Sequence, residues 1–207
     1  MFFSFDGIDG VGKTTQMELF CGWLRERGQE VVTCRDPGST PLGERIREIL
    51  LHSSVDMSIG RRSEMLLYMA ARAQLVDELI RPALAAGKVV VSDRYLLANL
   101  VYQGHAGGLE VEAIRQVGTV AVGGVQPDAV FLLDMPTAAA DKRIRRTLDR
   151  MEQQGSDYRE RLRTGFLAEA GRPDSRIHVI NADRPVEAVQ SEIRQVAEKI
   201  LTHGPIA

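Results

Sequence analysis

The string Gly7-Ile8-Asp9-Gly10-Val11-Gly12-Lys13-Thr14-Thr15 constrains this chain more than any other feature. It fits the pattern of glycine, four residues, then Gly-Lys-Thr. An apolar run, Phe2–Phe5, precedes it, and Met17, Phe20, Trp23 and Leu24 recur at helical spacing after it. A strand, a curled glycine turn and a helix are therefore expected in succession. Glycines let the backbone curl so that successive N–H groups converge on an anion. The helix N-terminus adds partial positive charge there. In such a loop Lys13 reaches the terminal phosphates, and the Thr14 hydroxyl can ligate Mg²⁺. Gly7, Asp9, Gly10, Val11, Gly12, Lys13, Thr14 and Thr15 thus predict a nucleoside triphosphate site. The loop does not say what receives the phosphate.

Four further short apolar runs read as strands: Glu30–Cys34, Lys88–Ser92, Ala129–Leu133 and Arg176–Ile180. Helical patterns separate them. One runs from Lys13 to about Arg27 and ends at Gly28, and one opens at Pro41 and runs to about Leu51. A long one covers Ser63–Ala86, with Pro82 as a bend or an end. Others cover Leu96–Gln103, Glu110–Val122, Thr137–Leu148 and about Asp157–Ala170. The last carries Val186, Val189, Ile193, Val196 and Ile200. Short apolar strands alternating with helices predict an α/β fold, a five-stranded parallel sheet with helices on both faces. Ligands of such sheets sit beyond the carboxyl ends of the strands.

A chain of 207 residues suits one domain. With 26 basic and 28 acidic residues it has no global pull towards nucleic acid or an anionic membrane. No apolar run approaches the ~20 residues that span a bilayer. Met1–Asp6 lacks a basic segment, so no signal peptide is expected. Cys21 and Cys34 are too few for a disulfide framework or a zinc site, and read as buried hydrophobes in a reducing cytoplasm. His52, His105, His178 and His203 receive no site role.

The residues after the other strands carry the remaining signal. Thr33-Cys34-Arg35-Asp36-Pro37-Gly38 follows the second strand, and Ser92-Asp93-Arg94-Tyr95 the third. On the long helix Tyr68 and Arg72 are four apart and share a face. A ring plane beside a guanidinium suits a flat base with a carbonyl edge. Arg35, Arg72 and Arg94 can converge on an anion, and Asp93 is placed to hold Mg²⁺ through water.

With these pieces in order, the chain resembles the thymidylate kinases of the nucleoside-monophosphate kinase superfamily, which share the phosphate-loop fold. The resemblance rests on the phosphate loop with its acid at Asp9, the Arg-Asp-Pro-Gly turn and Tyr68-Met69-Ala70-Ala71-Arg72. It rests also on Asp93-Arg94-Tyr95 with Tyr102-Gln103-Gly104, and on a basic lid. It implies that Tyr68 stacks on thymine, Arg72 reaches the base carbonyl edge, and Arg35 and Arg94 hold the monophosphate. It places Asp9 near the deoxyribose hydroxyl, Asn99 and Gln103 by the base, and Tyr102 against the sugar 2′ position. It implies a strained, usually cis, peptide before Pro37, and a homodimer formed through the long helices. Arg-Asp-Pro-Gly-Ser-Thr, Leu97-Ala98-Asn99 and His105 depart from the common motifs.

The run Lys142–Glu152 is strongly basic and Gln153-Gln154-Gly155-Ser156 follows it, so a short lid is expected at about residues 143–157. The phosphate loop carries Val11 where some members carry a catalytic arginine. The resemblance then points to a lid arginine, Arg150 first, with Arg145 and Arg146 as further ATP contacts. Lys13, Asp9 and Arg94 complete the expected catalytic set. The implied reaction is ATP + dTMP → ADP + dTDP with Mg²⁺. Two alternatives stay open: a kinase for another monophosphate or a deoxynucleoside, and a non-catalytic nucleotide switch. A DNA-binding ATPase would need a basic surface.

Overall fold

A computed structural model describes residues 1–52, 58–144, 155–173 and 175–203. Its strands are β1 (Phe2–Asp6), β2 (Val31–Arg35), β3 (Val89–Asp93), β4 (Ala129–Asp134) and β5 (Ile177–Asn181). All pair in parallel, in the order β2-β3-β1-β4-β5. β1, β3 and β4 are buried on both faces, which explains their unbroken apolar runs. Helix α1 (Lys13–Glu26) packs on the sheet through Phe20 and Trp23, and Phe3, Phe5, Phe20 and Phe131 form an aromatic cluster with ring centroids 5.1–5.8 Å apart.

Helix α2 spans Pro41–His52 and α3 spans Arg61–Leu75. The segment expected as one helix over Ser63–Ala86 is divided. A wide π turn occupies Val76–Ile80, and α4 covers Arg81–Ala85. Pro82 is the reason. It has no N–H and its ring clashes with the carbonyl four residues back. The wide turn moves the pairing to five residues, with the Arg81 N–H on the Val76 carbonyl, and leaves Pro82 in the first turn of α4 where no donor is needed.

The same widening occurs where Leu96–Gln103 was expected to be plain helix. Helix α5 covers Leu96–Asn99 and a π-helical stretch covers Leu100–His105. It turns Tyr102 and Gln103 towards the strand ends. Helix α6 is Val111–Val122, and α8 (Ser156–Ala170) and α9 (Val186–His203) complete the layers. Helix α7 is shorter than expected, Thr137–Asp141 rather than Thr137–Leu148. The Arg143 and Ile144 N–H groups bond only three residues back, to Ala140 and Asp141, which ends the α-helical ladder. Residues 145–150 lie outside the described residues.

Two glycines let the phosphate loop approach its neighbours. Gly7 has φ +134° and a Cβ there would lie 2.4 Å from the Leu133 carbonyl oxygen. Gly10 has φ +90° and a Cβ would lie 2.4 Å from the Ala140 carbonyl oxygen. The loop is thus clasped between the ends of β4 and α7.

Candidate active site

The carboxyl ends of β1, β2 and β3 open into a cleft of about 600 Å³. Asp9–Gln16 line one end of it and Tyr68, Arg72, Asn99 and Gln103 the other, with Tyr102 reaching Asp9 from between them. Arg35, Asp36, Pro37, Asp93 and Arg94 lie between. Every expected contact that falls on described residues therefore borders one space, except Gly7, which shapes the loop from beneath. Arg145, Arg146 and Arg150 lie outside the described residues.

At the phosphate loop Lys13 is buried. Its ammonium donates to the carbonyls of Gly7 and Ile8, each at 3.0 Å, and to Asp9 Oδ1 at 3.4 Å. Burial, and then the nearby Arg94, push its pKa down. Thr14 and Thr15 are exposed at the start of α1, where a phosphate can meet them. Beside them Asp9, Arg94 and Tyr102 form a closed knot. Arg94 Nη2 donates to Asp9 Oδ1 at 2.9 Å and to the Tyr102 hydroxyl at 3.1 Å, and that hydroxyl donates to Asp9 Oδ2 at 3.2 Å. Burial pushes the Tyr102 phenol well above its ordinary range, so it keeps its proton and stays the donor. Arg94 takes a left-handed backbone, φ +67°, to turn its side chain under the loop.

At the far end Arg72 is fully buried. Its Nε donates to Asp36 Oδ2 at 2.5 Å, its Nη2 to the Tyr95 carbonyl at 3.2 Å, and its Nη1 meets the Met69 sulfur at 3.2 Å. The peptide Asp36–Pro37 is cis. Arg35 pairs with Glu44 at 2.7 Å, and this hydrogen bond, with that from the Ser39 N–H, holds the Glu44 carboxyl below its usual range.

Several cleft residues escaped the sequence reading. Arg47 on α2 borders the cleft and donates to the Pro37 carbonyl at 2.9 Å. Ala182, Arg184 and Val186 border the cleft as well, as does Arg143, the first residue of the expected lid. Arg184 follows β5, where the strand-end rule could have found it. Arg159 on α8 does not line the cleft but supports it from behind: it is buried, donates to the Asp9 carbonyl at 2.8 Å and sits 2.7 Å from Asp141. Nothing local in the sequence marks it. Cys21 and Cys34 are free and buried, and burial pushes the Cys34 thiol up to about 12. His105 faces Glu169 at 2.9 Å, outside the cleft.

Asp6, at the end of β1, is the least compensated group nearby. Neither carboxylate oxygen has a partner among the described residues, and its nearest cation, Arg94, is 3.9 Å away. Burial raises its pKa from 3.8 to about 7, against Arg94 and Lys13 and with Asp93. A raised carboxyl pKa means that the folded chain holds the proton more tightly than the unfolded one. Stability should therefore fall as pH rises from about 4 to about 7 and stay level above. Asp6→Asn should flatten that window and gain stability at pH 7, by on the order of 4 kcal/mol at most. Urea denaturation of both forms at pH 5 and pH 7.5 checks it; parallel curves would mean that Asp6 does not titrate there.

A phosphate loop at the switch point of a parallel sheet, joined by one cleft to an arginine-lined second pocket, defines a nucleotide-binding phosphotransferase of the phosphate-loop class. A family model described as thymidylate kinase matches residues 5–193. The thymidylate kinase of Rhodopirellula baltica is 44% identical over 191 residues, covering 92% of this chain and 77% of that protein. That of Bifidobacterium longum subsp. infantis is 46% identical over 206 residues, covering 97% and 87%. The crystal structure of thymidylate kinase from Ehrlichia chaffeensis superposes with a TM-score of 0.78 at 30% identity, covering 96% of this chain and 98% of that one. The chain belongs to the thymidylate kinase family.

Proposed function

We propose that the chain transfers the γ-phosphoryl group of ATP to dTMP, giving ADP and dTDP on the route to dTTP. The observation that carries this is the single cleft that runs unbroken from the phosphate loop to Tyr68 and Arg72. An acceptor phosphate oxygen attacks the γ-phosphorus, and the bond to the β–γ bridging oxygen breaks. A phosphate monoester has its second pKa near about 6, so the attacking oxygen is already anionic and no general base is needed.

Loop amides and Lys13 cradle the β- and γ-phosphates. Arg143, Ala182 and Arg184 border the donor base. Tyr68 stacks on thymine, Arg72 donates to its carbonyl edge, and Asn99 and Gln103 line its remaining edge. Pro37, Arg35 and Arg94 frame the acceptor phosphate, with Asp9 by the sugar hydroxyl and Tyr102 against the 2′ position. Arg150, with Arg145 and Arg146, closes over the transferred group as part of a lid at about residues 143–157, and closure excludes water. The chain acts in the cytoplasm as one kinase domain and pairs as a homodimer through its long helices, where Leu66 and Val120 are exposed.

The residues fit Mg²⁺ carried in with the nucleotide. Asp93 Oδ1 and both Asp6 oxygens are buried without partners among the described residues. No group of three His, Cys, Asp or Glu side chains there could hold an ion unaided. Thr14 and Asp93 would hold it, and when bound it neutralises charge on the phosphate oxygens.

The test is a rate screen over dTMP, dUMP, dCMP, dGMP, AMP and thymidine with ATP. A single methyl in a pocket is worth about 1–3 kcal/mol, so dUMP should be slower by roughly 10- to 200-fold in kcat/KM. Faster turnover of another acceptor, or none of any, overturns the reading.

A further inference from the structure

Three side chains form a buried relay at the base end of the cleft. Asn99 Nδ2 donates to Gln103 Oε1 at 2.8 Å, and Gln103 Nε2 donates to Glu64 Oε1 at 2.9 Å. All three are less than a tenth exposed. Asn99 and Gln103 line the cleft; Glu64, in the first turn of α3, stands behind them. A carboxamide can turn over with little change of shape, exchanging its donor for its acceptor. A carboxylate cannot, because its oxygens only accept. Gln103 must therefore turn its NH₂ to Glu64 and its oxygen to Asn99. Asn99 must in turn give its NH₂ to Gln103. What remains is Asn99 Oδ1, a buried acceptor with no partner among the described residues.

We propose that Glu64 is a positioning residue that fixes the polarity of this relay and so selects the class of pyrimidine. With Asn99 Oδ1 held as an acceptor, the cleft takes a base with an N3–H, a 4-oxo pyrimidine. A 4-amino pyrimidine brings a bare N3, an acceptor against an acceptor. Arg72 reads the neighbouring position in the same sense, since a guanidinium only donates. Its direction is built in, whereas that of Asn99 is borrowed from Glu64 through Gln103. This rests on the acceptor reading above.

Competition between dTMP and dCMP in one tube, with the full chain and ATP, gives the ratio of their kcat/KM values whatever fraction of a variant is folded. Glu64→Gln frees the relay to reverse, because a glutamine at this position can donate as well as accept. The dTMP:dCMP ratio should fall by about tenfold or more, chiefly through faster dCMP turnover, since a mismatched buried polar pair is relieved. Glu64→Ala, which admits water in place of the carboxylate, should shift the ratio in the same direction. A ratio unchanged in both variants, or parallel loss for both substrates, would mean that Glu64 only supports the fold and overturns the proposal. Absence of dTMP turnover in the parent chain would instead overturn the acceptor reading, so the two failures are distinct.

Discussion

Lys13→Met is expected to lower kcat/KM for ATP-dependent phosphorylation by roughly 10³-fold or more while the chain stays folded. The ammonium is buried and bonded to two loop carbonyls, so it is already aimed where a phosphate chain would lie. Burial and the nearby Arg94 push its pKa down, and a bound phosphate chain would offset both. Methionine keeps most of the length and removes the charge. Asp9 loses one partner but keeps Arg94 at 2.9 Å, so the knot beneath the loop survives. Melting temperature should shift by only a few degrees, which corresponds to about 1 kcal/mol in a chain of this size. Circular dichroism checks the fold and a coupled ADP assay the rate. Parent-like turnover would remove Lys13 from the chemistry; a collapsed fold would make it structural.

The strands were legible because each is a short apolar run, and β1, β3 and β4 are buried on both faces. Helix content was legible too, but not where helices widen. A π turn rests on bonding five residues back, which the apolar spacing around Val76 and Val101 does not encode. Pro82 flagged the first as a bend, and nothing flagged the second. Site residues beside sharp backbone features, such as Lys13 after the glycine loop or Arg94 after β3, could be found by position. Arg47, Arg159 and Glu64 sit on ordinary helix faces and reach the site only through tertiary packing, so their charge reads as a solvated surface until the helices are assembled.

Arg72 joins recognition to stability, and the second large effect separates the two. Its guanidinium and the Asp36 carboxylate are almost fully buried against each other. It also holds the Tyr95 carbonyl and lies 5.5 Å from the Tyr95 ring. Burial already raises the Asp36 pKa, opposed chiefly by Arg72. In Arg72→Ala that opposition is gone, and Asp36 keeps a buried charge with no partner or takes up a proton. Breaking such a pair costs about 3–5 kcal/mol, or roughly 10 °C in melting temperature. The double variant Arg72→Met with Asp36→Asn leaves no charge at this pair and fills much of the space, so most of that stability should return. Base recognition should not return, because neither new side chain brings a guanidinium to the carbonyl edge. Thermal denaturation of the three forms, with kcat/KM for dTMP, tests both halves. A melting temperature of Arg72→Ala within about 2 °C of the parent would mean that the pair does not hold the strand ends together. Full dTMP efficiency in the double variant would mean that Arg72 serves the fold and leaves the base to other groups.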